Sequence, residues 1–164
     1  MNKILWRDGR RYQRGSVAVE TAIVFSFLVL FATLPSIFWA FYFFKYSAAQ
    51  KAVHHAAHYL ATAPRAEMMG AGPGGEPFAL EVARKIIASE MAGMDPPAPD
   101  FGCHYRQAQG TVLPKTCTVT NNQLNTQALT QISVSITMGY VDPLTGEDSG
   151  LWISPFALVP YIGN

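Results

Sequence analysis

An α+β fold, with a long amino-terminal membrane helix leading into a small head, is predicted by three observations. Thr21 to Phe44 contains no charged residue. Tyr46 to Ala63 continues with alanine-rich, helix-forming sequence. Near the other end, Gln131 to Asp142 alternates strictly between apolar and polar residues, a strand pattern. The economical architecture is a head in which one further helix packs on a short antiparallel sheet. Three regions follow: a basic leader at 1–15, a membrane and extended helix at 16–63, and a head at 64–164.

The leader holds Lys3, Arg7, Arg10, Arg11 and Arg14 against only Asp8. Such a cluster before an apolar run keeps the amino terminus cytoplasmic and sends the remainder across. A single crossing is expected, with the head on the translocated side. The leader ends at Gly15-Ser16, and a single carboxylate, Glu20, stands at the threshold of the apolar run. A carboxylate there is costly and functional by default; an interfacial carboxylate solvated by headgroups is the bland alternative. The run itself, about 24 residues, reaches roughly 36 Å as a helix, enough to cross a bilayer. It is too long for the core of a cleavable secretory signal, and Ala61-Thr62-Ala63, which has the composition of a cleavage site, lies far beyond it.

Pro35 interrupts the run and predicts a kink, with Thr33 and Ser36 near enough to take up freed backbone groups. Trp39, Tyr42 and Tyr46 gather towards the outer end as interfacial aromatics do, and Lys45 can snorkel to the headgroups. Beyond the membrane, Tyr46, Ala49, Val53, Ala56, Ala57 and Leu60 recur at helical spacing until Pro64 ends the pattern. His54 and His58 share a face, yet no third ligand accompanies them, so a polar helix face is expected rather than a metal site.

Glu67 to Pro77 reads as a loop rich in glycine and proline that lacks the lysine of a phosphate-binding motif. Phe78 to Met91 places Leu80, Ala83, Ile86, Ile87 and Met91 on one stripe, an amphipathic helix closed by Gly93. Asp95 to Pro99 is a stiff linker. Thr116 to Thr120 favours strand, Asn121-Asn122 a turn, Gln131 to Asp142 the main strand, and Pro143 to Gly146 another turn. Leu151 to Ile162, apolar with prolines, suits a short edge strand or a segment docked along the head. Cys103 and Cys117 fall in the translocated region, where an even cysteine count favours a disulfide. Free thiols, or a metal site with His104, are the alternatives.

With 12 basic and 11 acidic residues the chain is near neutral, and its cations concentrate in the leader, so nothing suggests nucleic-acid binding. The serines, histidines and acids form no catalytic constellation, and no cofactor or metal is called for.

The segment Arg14 to Val24 resembles the opening of the TadE-like family, the pseudopilins of tight-adherence (Flp-type) pilus systems. Lys45 to Ala57 is similar to that family's alanine-rich helix continuation, and Ile132 to Val141 to its carboxy-terminal region. The chain departs from the pattern at Ser26, where proline is common, and in its outer-helix histidines. The resemblance implies a minor pilin or pseudopilin, since major subunits of such pili have little or no head. It implies cleavage between Gly15 and Ser16 by a prepilin peptidase. It further implies that Glu20 sets the register between subunits, with other pilins, an inner-membrane assembly platform and the lipid bilayer as partners. The alternative is an uncleaved, signal-anchored envelope protein of structural or interaction role.

Overall fold

In the computed structural model, residues 13–72, 75–94, 96–106, 110, 112–117 and 128–163 are described. The chain falls into two units that divide inside the first helix, between Phe41 and Tyr42.

That helix, α1, runs unbroken from Gln13 to Thr62. In the first unit it is apolar around its whole circumference, and Phe25, Leu28, Phe31 and their neighbours are exposed. A helix with no polar side is suited to an apolar surrounding rather than to water. Pro35 lies inside it without ending it. Proline withdraws the donor to the Phe31 carbonyl. The nearby hydroxyls do not replace it. Thr33 Oγ1 donates to Val29 O and Ser36 Oγ to Ala32 O, each to the carbonyl four residues back.

The second unit begins with the continuation of α1. Its face of Ala49, Ala52, Val53, Ala56, Ala57 and Leu60 is fully buried. Leu60 fills the end of the stripe. Tyr46, expected on this stripe, is exposed.

Pro64 ends α1 and starts the next turn. Its carbonyl accepts from the amides of Glu67 and Met68, opening a short helix α2, Arg65–Met69. The expected loop therefore begins later than Glu67. A proline at a helix start costs nothing, because the amide it lacks has no helical partner there. Helix α3, Phe78–Glu90, follows and buries Ala79, Leu80, Ala83 and Ile87. Ile86, expected on the stripe, is only half-buried. Gly93, with φ of 88°, closes the segment.

Six strands follow: β1 Asp100–Arg106, β2 Val112–Thr116, β3 Ala128–Ser135, β4 Met138–Val141, β5 Asp148–Ile153 and β6 Phe156–Pro160. One sheet has the order β2-β1-β3-β6 and the other pairs β4 with β5, all antiparallel. Strand β1 was not anticipated, although Phe101, Cys103 and Tyr105 alternate as a half-buried strand should and are its buried face. Strand β2 lies earlier than the expected Thr116–Thr120, of which 118–120 lie outside the described residues, as do Asn121-Asn122 and Asp95. Pro114 and Pro160 sit in β2 and β6, the two edge strands, where a missing amide breaks no interior ladder.

The single strand expected over Gln131–Asp142 is divided. Ser135 pairs with Phe156 in one sheet, and Met138 with Ile153 in the other. These pairs share one register, so β3–β4 and β5–β6 form one long hairpin broken where Ile136 faces Pro155. Ile136 N donates to Pro155 O. The reciprocal bond would need an amide on Pro155, and that absence is where the ribbon changes sheets. Burial keeps the alternation across the break: Ile132, Val134, Ile136 and Tyr140 all face the core.

Candidate functional site

Gly15 and Ser16 lie in the first turns of α1, which begins at Gln13. Residues 1–12 of the leader lie outside the described residues. Glu20, little more than a turn after Ser16, is exposed and has no ion pair among the described residues. Thr21 Oγ1 is turned back onto the Val17 carbonyl, 2.7 Å away, which hides one hydroxyl inside the helix. From Val17 onward α1 is long and apolar enough to cross a membrane.

In the second unit the start of α1 is held by the β4–β5 hairpin. Tyr42 Oη donates to the Trp152 carbonyl at 3.2 Å, and Lys45 Nζ to the Val141 carbonyl at 3.3 Å. The Lys45 ammonium also stands 5.0 Å from the centre of the buried Tyr140 ring, a cation–π arrangement. Lys45 is thus engaged by the head rather than extended towards headgroups, and Tyr42 serves packing as well as an interface. No sequence signal pointed to Tyr140 or Trp152 as partners of the helix, because the pairing spans about a hundred residues.

His54, His55 and His58 are exposed on α1. The rings of His54 and His58 meet edge to face at 4.9 Å. His55 Nδ1 lies 3.0 Å from Glu90 Oε1, and Lys51 Nζ 2.8 Å from Glu90 Oε2. Hydrogen bonds from Lys51 and then His55 hold the Glu90 carboxyl below its ordinary range. The pair tethers the end of α3 to α1. Among the described residues no three metal-binding side chains converge.

Two further polar ties brace the head. Arg84 is bonded to Glu76 and lowers its carboxyl in the same way, chiefly through that hydrogen bond. Tyr59 Oη donates to Glu67 Oε2 at 3.1 Å, linking α1 to α2, and burial raises the phenol, with the Glu67 bond adding to it. Cys103 and Cys117 form a disulfide that joins β1 to the residue after β2. His104, the possible metal partner of the cysteines, instead places Nε2 3.1 Å from Ser133 Oγ on the open face of the sheet. That face is a shallow cleft lined by Asp100, Gly102, His104, Ser133, Ser135 and Phe156.

An apolar anchoring helix with a carboxylate near its amino end, joined to a small disulfide-closed α+β head, fits a membrane-anchored, pilin-like protein. The profile of the family described as TadE-like protein matches residues 15–58, which places Gly15, Ser16 and Glu20 inside the similarity and most of the head outside it. No curated protein and no solved structure matches the chain. The family match supports a pilus-associated, minor-pilin role in general terms.

Proposed function

We propose that this protein is a minor pilin or pseudopilin that takes part in assembling a tight-adherence, Flp-type pilus. The observation that carries the reading is the TadE-like match, which starts at Gly15 and runs through the apolar helix. In this reading the basic leader stays in the cytoplasm, α1 crosses the inner membrane once, and residues 64–164 form a periplasmic head. A prepilin peptidase cuts between Gly15 and Ser16 from the cytoplasmic side.

Cleavage frees an α-amino group on Ser16. In a bundle of helices drawn from several subunits, the Glu20 carboxylate of one pairs with the Ser16 ammonium of the next. Each charge offsets the cost of burying the other, and losing one leaves the other unpaired at about 3–5 kcal/mol. Pairing of this kind sets the axial register between other pilins on the assembly platform. Pro35 is the point at which α1 bends as it packs, because the Phe31 carbonyl there has no amide partner.

The test is the intact mass and amino-terminal sequence of the membrane-extracted chain, made with and without its prepilin peptidase. A new terminus at Ser16 that depends on the peptidase is the expected result. A Met1 terminus in both preparations would overturn the pilin reading in favour of a signal-anchored envelope protein.

A further inference from the structure

The hairpin that grips the start of the head leaves Trp152 64% exposed. Tyr42 meets β5 at Trp152, and Lys45, nearly a turn later, meets β4 at Val141. The pairs Gly139–Trp152 and Val141–Asp148 put Trp152 at one end of the hairpin and the exposed acids Glu147 and Asp148 at the other.

We propose that this corner of the head docks on the bilayer surface, with Trp152 in the headgroup region. The inference rests on the reading of the apolar run as membrane-spanning. Tyr42, which holds the Trp152 carbonyl, lies two residues before the end of that run, so Trp152 stands at the level of its outer end. Tryptophan suits the place because its ring is apolar and its indole N–H can stay wet. The carboxylates at the far end of the hairpin are repelled by an anionic leaflet and remain in water, which orients the hairpin. The Lys45 ammonium, spent on Val141 and Tyr140, is not required for the contact. Docking fixes the attitude of the hairpin at the membrane before any assembly and hides an otherwise water-exposed tryptophan.

The experiment uses the full chain in phosphatidylcholine vesicles containing phosphatidylcholine brominated near the headgroup end of its acyl chains. The three tryptophans are Trp6, Trp39 and Trp152. One version, Trp6→Phe with Trp39→Phe, reports on Trp152 alone; the other, Trp6→Phe with Trp152→Phe, reports on Trp39 alone. The expected result is loss of emission to brominated lipid in both, with Trp152 shielded from aqueous acrylamide. If lipid quenches Trp39 while acrylamide alone quenches Trp152, the corner faces water and the proposal fails with the membrane reading intact. If lipid quenches Trp39 and neither quencher reaches Trp152, protein covers the corner, which also overturns it. If brominated lipid leaves Trp39 bright, the membrane reading falls and takes the proposal with it.

Discussion

At Gly102 the strand has no room for a side chain. A Cβ there would meet Ser133 Oγ well inside van der Waals contact, while it would sit an ordinary 3.7 Å from Ser133 Cβ. The obstacle is thus one hydroxyl, held by its bond to the Gly102 carbonyl and by His104. Gly102→Ala should force that hydroxyl to turn away and cost about 1 kcal/mol, the net worth of a hydrogen bond. The penalty should largely vanish in a Ser133→Ala background, as a denaturation double-mutant cycle in detergent would report. An equal loss in both backgrounds would assign the obstacle to the backbone. Glu20 makes a different kind of demand. In the proposed assembly, Glu20→Ala leaves insertion intact and strands a buried ammonium at about 3–5 kcal/mol per contact. Membrane fractionation should therefore be normal and pili absent by electron microscopy; normal piliation would dispose of the pairing.

Among the elements, α1 and α3 were legible because their buried stripes repeat at a period that few other structures share, whereas α2 is too short to show one. Ala49, Val53, Ala56, Ala57 and Leu60 are where that period puts them. Strand β1 was in the same sense readable, since Phe101, Cys103 and Tyr105 alternate, but a short run behind several prolines is easily taken for linker. The division of the main strand was not readable from its own residues. Its alternation continues through Ile136, and the break is caused by a proline on the opposite strand. The grip of Tyr42 and Lys45 on the hairpin was likewise invisible, because nothing local marks a partner so distant in sequence. The disulfide belongs to this scale too, since it closes β1 against the end of β2. Cys103 and Cys117 are 14 residues apart, and closing such a loop is worth about 3 kcal/mol in the chain-entropy model. The doubly substituted Cys103→Ser, Cys117→Ser chain should lose about that much unfolding free energy, read as a lower urea midpoint at unchanged slope, and reduction of the native chain should reproduce it.

For the molecule as a whole, the family similarity and the fold divide in different places. The match ends at residue 58, within the helix, while the second unit begins at Tyr42. The later turns of α1 thus belong both to the matched segment and to the head. Acid should loosen that head. Glu76 and Glu90 both have carboxyls lowered below the ordinary 4.5, by Arg84 and by Lys51 with His55 respectively. Each therefore contributes stability that is complete above the ordinary range and is lost as the pH falls through the lower folded value. The groups are well exposed and the effect is small. Melting curves from neutral pH down to strong acid should show an acid limb that flattens in the Glu76→Gln, Glu90→Gln double variant. An unchanged limb would place the acid sensitivity elsewhere.

The last residues of the head return to the end of its first helix. Ile162 N and Gly163 N donate to the Ala61 carbonyl, and Tyr161 Oη to that of Ala63, while Tyr161 N is bonded to Thr130 O in β3. These bonds satisfy carbonyls that a helix end leaves open. Their mechanical consequence is a clasp. A pull along α1 against the head is carried not only by the covalent turn at Pro64 but also, in parallel, by the carboxyl terminus into the centre of the sheet. The join between rod and head is therefore stitched from both ends of the same domain.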